Sequence, residues 1–140
     1  MLYVDNQTSI QFHAKPLEAI MASLTDKEVE LIIVNEATMR TINLENRGVD
    51  TSTDVLSFPI SPFPHAPLGT IVINEAASSS AAEAFGHTLE EEFSLLFIHG
   101  LLHLLGFDHE TDQGEMRKKE EVLIVAFNLP QSLIVRTESA

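Results

Sequence analysis

The sequence predicts an α+β fold, a small mixed β-sheet of about four strands packed by about five helices around one buried helix. Three observations carry that expectation. Short β-branched runs alternate irregularly with segments of helical spacing. Residues 93–105 are apolar on almost every side, the mark of a helix buried all round. A length of 140 residues, 44% of them hydrophobic, with six glycines and six prolines, suits one domain over residues 1–140 with a real core.

Leu2, Tyr3 and Val4 open the chain as a short edge strand. A helix follows over residues 16–24, with Pro16 in the first turn, where its missing N–H is not needed. Residues 29–34 are rich in β-branched side chains and read as a strand. Residues 36–44 have helical spacing, with Met39 and Ile42 facing inward, Ala37 as a further inward candidate, and Gly48 as the stop. Residues 54–59 form the next strand, ended by Pro59 and by a loop over 61–67 whose prolines resist regular pairing. Residues 69–73 make a further strand, and the alanine-rich stretch 75–84 favours helix. Gly86 and His87 separate it from the next start, Thr88-Leu89-Glu90-Glu91, which is a capping box. That box opens the buried central helix. Asp112 to Glu115 give a second capping signal for a closing helix that reaches Phe127.

The net charge of -13 argues against nonspecific attraction to nucleic acid or to an anionic membrane. The basic residues are few: Lys15, Lys27, Arg40, Arg47, Arg117, Lys118, Lys119 and Arg136. No apolar run reaches the roughly 18 residues that span a bilayer, and the N-terminus lacks a secretory pattern. Without cysteine there are neither disulfides nor thiolate ligands, which fits a cytoplasmic address.

Three of the six histidines fall within H-G-L-L-H-L-L-G-F-D-H, residues 99–109. His99 and His103 sit four residues apart, so both imidazoles share one face of the central helix. His109 follows Gly106, a residue suited to ending the helix in a positive-φ turn and folding the chain back. Three neutral imidazoles suit a divalent transition metal, most often zinc, with a fourth position left open for water. A lone histidine on an apolar helix is more often a satisfied core residue, but burying two for no purpose incurs desolvation twice. The spacing points to metal-assisted hydrolysis.

The spacing also fits the long zinc-protease signature H-E-x-x-H-x-x-G-x-x-H, with its three histidines and glycine at His99, His103, His109 and Gly106. Gly100 stands where that signature has its general base. A peptidase mechanism is thereby weakened.

The whole motif resembles the hallmark of the YbeY family of bacterial endoribonucleases, H-G-x-L-H-L-x-G-x-D-H. A second block, T-D-V-L-S-F-P, is unbroken over residues 53–59, preceded by Asn43 and Arg47 where the family has an asparagine and an arginine. Gly86-His87-Thr88 resembles a third block, and Glu92 an acidic position on the metal helix. The similarity runs over residues 29–121. Thr70 departs from it, standing where the family usually carries aspartate.

The resemblance implies a metal-dependent, single-strand-specific endoribonuclease acting in 16S rRNA 3′-end maturation and ribosome quality control. It implies one Zn²⁺ on His99, His103 and His109, with Arg47 on the substrate side. Single-stranded RNA, expected to be ribosomal, and the ribosome or its small subunit are the implied partners, with no membrane. Arg47 suits that role because a guanidinium holds two phosphate oxygens in fork geometry; a salt bridge to Asp50 or Asp54 is its bland alternative. Asp108 is a candidate to orient a ligand imidazole or activate water, with capping of the turn after Gly106 as the alternative. Glu92 lies two helical turns before His99 and reads as structural. His65 and His87 lack convincing partners in sequence, and Arg117, Lys118 and Lys119 read as a solvated helix face. Two rival functions remain: a zinc hydrolase of peptide or amide bonds, and a non-catalytic ribosome-assembly factor with a structural metal.

Overall fold

Nearly continuous apolar runs in the central strands build this fold, because each of those strands has side chains to bury on both faces. A computed structural model describes residues 1–61, 63–108 and 110–129. Strands β1 (Leu2–Asn6), β2 (Val29–Val34), β3 (Val55–Pro59) and β4 (Gly69–Asn74) form one sheet in the order β1-β2-β4-β3. β1, β2 and β4 run parallel, and β3 lies antiparallel to β4 on the edge. Five helices complete the described residues: α1 (Lys15–Leu24), α2 (Glu36–Arg47), α3 (Glu75–Phe85), α4 (Leu89–Leu104) and α5 (Glu115–Ala126). The mixed sheet with five helices is the α+β architecture that the sequence predicts.

The two faces are covered by different helices. Leu31, Ile33, Ile71 and Ile73 point to one side, where they pack with Phe93, Phe97, Ile98, Leu101 and Leu102 of α4. Ile32, Val34 and Val72 point to the other, with Met39 and Ile42 of α2 and Leu56 and Phe58 of β3. A parallel sheet buried on both faces explains why β2 and β4 read as nearly continuous apolar runs. α4 is the central element. It packs on β3 and β4 and also meets α1, α3 and α5.

Three details differ from expectation. α2 runs on to Arg47, because nothing in Glu45-Asn46-Arg47 breaks it before Gly48 takes φ 71° and donates its N–H to the Leu44 carbonyl. Ala37 is exposed on that helix, so Met39 and Ile42 face inward without it. At the start of α5 the cap position belongs to Gly114. Asp112 still serves the helix from two residues earlier, accepting from the N–H groups of Gly114 and Met116 at 2.9 Å each. The expected capping box at Thr88 and Glu91 is present in full.

Candidate metal centre

α4 comes close enough to the sheet to place its histidines beside β3 because residue 100 has no side chain. A Cβ on Gly100 would lie 2.9 Å from Ile71 Cγ2 and 3.1 Å from Ser57 Oγ. Ser57 uses that approach to donate its hydroxyl to the Gly100 carbonyl at 3.1 Å. The position that holds the base in the zinc-protease signature therefore faces the sheet, with no room for a glutamate.

Past Leu104 the chain reverses in a Schellman turn. Gly106, at φ 101°, donates to the His103 carbonyl at 3.0 Å, and Phe107 N–H donates to the Leu102 carbonyl at 3.0 Å. The reversal returns the Phe107 carbonyl to His103, whose Nδ1 lies 3.1 Å from it. A carbonyl only accepts, so Nδ1 of His103 carries the proton. Nδ1 of His99 lies 3.2 Å from Glu120 Oε1, on α5, and donates to that carboxylate. With both protons on Nδ1, both Nε2 atoms present lone pairs.

Those two Nε2 atoms are 3.2 Å apart. Two lone pairs at that distance repel unless a metal ion or a shared proton lies between them. Nitrogens each bound about 2.0–2.1 Å from a tetrahedral zinc lie about 3.3 Å from one another, so the pair fits two vertices of such a site. The rings cross edge to face, at 78° with centroids 4.7 Å apart. His109, the third expected ligand, lies outside the described residues. Among the described residues no group of three histidine, aspartate or glutamate side chains gathers as a ligand set.

His99 and His103 line a cleft of about 590 Å³ together with Arg47, Thr53, Asp54, Val55, Ser57, Phe107, Asp108 and Glu110. Its walls are the edge strand β3 and the turn after α4. Arg47 reaches it as the exposed last residue of α2, where a cation also complements the carboxyl end of the helix dipole. The bland alternative for Arg47 fails at Asp50, which Arg40 holds in a fork with Nε–Oδ1 at 2.8 Å and Nη2–Oδ2 at 3.2 Å. That hydrogen bond, and then the guanidinium charge, hold Asp50 below the usual carboxylate range. No ion pair of Arg47 occurs among the described residues, so Asp54 does not take it either. Asp108 lines the cleft, and its Oδ1 accepts the Glu110 N–H at 3.0 Å, the turn-capping contact anticipated as its alternative.

The wall that carries Thr53 and Asp54 is held by two buried asparagines. Asn43 Nδ2 donates to the Thr51 carbonyl at 2.8 Å, and Asn74 Nδ2 donates to Ser52 Oγ at 2.9 Å and to the Thr53 carbonyl at 3.1 Å. Asn43 thus shapes the loop between α2 and β3 and does not line the cleft. Glu92 is fully buried on α4 and also lies outside the cleft lining. His65 is exposed in the proline loop, and His87 stacks on Phe85 at 6.3 Å. Of the three expected on a solvated face of α5, Arg117 and Lys118 are exposed and Lys119 is half-buried. Thr70 donates to Glu30 across the β2–β4 pair at 3.1 Å. An aspartate there would oppose Glu30 directly with like charge, which is unfavourable on a sheet face.

Glu120 is the site residue that sequence reasoning missed. It stands between Lys119 and Glu121 in a charged run, yet Met116, Glu120, Leu123 and Ile124 are the buried residues of α5 and follow one helical stripe. A carboxylate in the apolar stripe is the signal that marks it.

Comparison with known proteins places the chain in a family. The family model described as Endoribonuclease YbeY matches residues 4–128. Relatives named Endoribonuclease YbeY include one from Sulfurimonas denitrificans, 55% identical over 138 residues and covering 99% of both chains. Another, from Helicobacter pylori, is 52% identical over 139 residues, again covering 99% of each. Among solved structures, a Thermotoga maritima protein determined in solution superposes with a TM-score of 0.62 at 27% identity, over 99% of this chain and 93% of that one. With His99 and His103 seated on α4 and the match spanning nearly its whole length, the chain belongs to the endoribonuclease YbeY family.

Proposed function

We propose that this protein is a metal-dependent endoribonuclease that cleaves single-stranded RNA, and that it works in 16S rRNA 3′-end maturation and ribosome quality control in the cytoplasm. The carrying observation is the pair of Nε2 atoms 3.2 Å apart, each ring backed through Nδ1, in a cleft that also holds Arg47. The RNA substrate follows from family membership.

His99, His103 and His109 would hold one Zn²⁺, the last completing the set from the turn after Gly106. When bound, zinc supplies Lewis acidity and lets water act as a nucleophile near neutral pH. Arg47 grips the scissile phosphate through two N–H groups and stabilises charge that grows on its oxygens during cleavage. Asp108, which lines the cleft and accepts the Glu110 N–H, would orient a ligand imidazole or help activate water. An acidic chain would hold a polyanion here by local charge, with the bound cation and Arg47 concentrating positive charge in one cleft. Whether the first nucleophile is water or the neighbouring 2′-hydroxyl is decided by the products, because a 2′,3′-cyclic phosphate arises from the hydroxyl alone.

The test is incubation of zinc-loaded protein with single-stranded RNA, duplex RNA and an unfolded peptide. Cleavage of the single strand, with the duplex spared, is expected. Cleavage of the peptide with RNA left intact would overturn the reading.

A further inference from the structure

We propose that Glu120 is a positioning residue of the metal centre, fixing His99 so that Nε2 faces the cation and tying α5 to the site. The assignment rests on the metal reading above. Glu120 sits in the apolar stripe of α5 with 4% of its surface exposed. A carboxylate in such a contact is unfavourable unless something polar or charged compensates it. Its hydrogen-bond partner among the described residues is Nδ1 of His99 at 3.2 Å. A neutral imidazole offers that carboxylate one hydrogen bond and no charge. With a cation on Nε2, the positive charge reaches the carboxylate through the ring, and the carboxylate in turn makes His99 a better donor.

The two described histidines are thus oriented in different ways. His103 is held by a backbone carbonyl in the turn directly after α4, and His99 by a side chain from the following helix. Together these contacts tie helix α5 and the turn after α4 to the two histidines. Substitution at 120 alters the His99 contact and leaves the turn at Gly106 untouched.

This role predicts opposite effects with and without metal. Zinc affinity would be measured by competition with a chromophoric chelator for wild type, Glu120→Gln, Glu120→Ala and Glu120→Met. Thermal unfolding of each would be followed in excess chelator. Glu120→Ala and Glu120→Met should bind zinc about 10–100-fold more weakly. Glu120→Gln keeps an acceptor oxygen and loses the charge, so it should fall between them and wild type. In chelator, Glu120→Met should unfold at or above the wild-type temperature, because the buried carboxylate then has no cation to serve. Wild-type zinc affinity in Glu120→Met, with unfolding at a lower temperature in chelator, would make the residue structural and overturn the proposal. A wild-type protein that binds no zinc would overturn the metal reading itself, and this assignment with it.

Discussion

His99 and Arg47 face one cleft, yet the sequence announces them in different ways. The histidines are legible from spacing alone, since four residues on a helix make one face. Arg47 is legible through the block that follows it, and what the sequence hides is its freedom from Asp50. Arg40 and Arg47 are both exposed on α2, and only the fold shows that Arg40 takes Asp50. Arg47→Ala should therefore keep fold and zinc affinity while cleavage falls about 100-fold or more, as for other groups that stabilise developing charge. Steady-state kinetics on a single-stranded RNA beside a zinc titration would check this. Asp50→Asn is the matched control, expected to leave cleavage and the melting temperature at wild-type values, because its ion pair is solvent-exposed and screened. Glu120 was hidden for the opposite reason. A glutamate in a charged run looks solvated, and only its place on the stripe with Met116, Leu123 and Ile124 betrays burial.

α4 concentrates most of what the sequence could tell. Its start follows from Thr88 and Glu91, its burial from the apolar run, and its end from Gly106. Its distance from the sheet is a matter of packing and does not show in periodicity. Gly100 sets that distance. Gly100→Ala should destabilise the fold by about 1–3 kcal/mol through overpacking against Ile71 and Ser57. It should also weaken zinc binding, since the helix that moves carries both described histidines of the proposed site. Thr88→Ala removes the cap three turns away from that contact. It should cost about 1 kcal/mol in denaturant unfolding and leave zinc affinity unchanged. The extra turn of α2 was not legible, because Glu45-Asn46-Arg47 has no apolar residue to extend the stripe, yet that turn is what delivers Arg47.

The molecule as a whole places an acidic chain of net charge -13 around a cleft that holds Arg47 and, on the proposed function, a metal cation. The alternation of strands and helices made the α+β class legible, while the order β1-β2-β4-β3 depends on pairing between strands distant in sequence, which local pattern does not encode. That order leaves β3 on the edge, where it walls the cleft beside His99 and His103. RNA affinity should fall as salt rises, and the slope should flatten in Arg47→Ala if that side chain neutralises a phosphate. Zinc content of protein purified without chelator bears on everything above. About one zinc per chain is predicted, retained in Arg47→Ala and lost in His103→Ala. Stoichiometric zinc that survives His103→Ala, or none in the wild type, would contradict the metal centre.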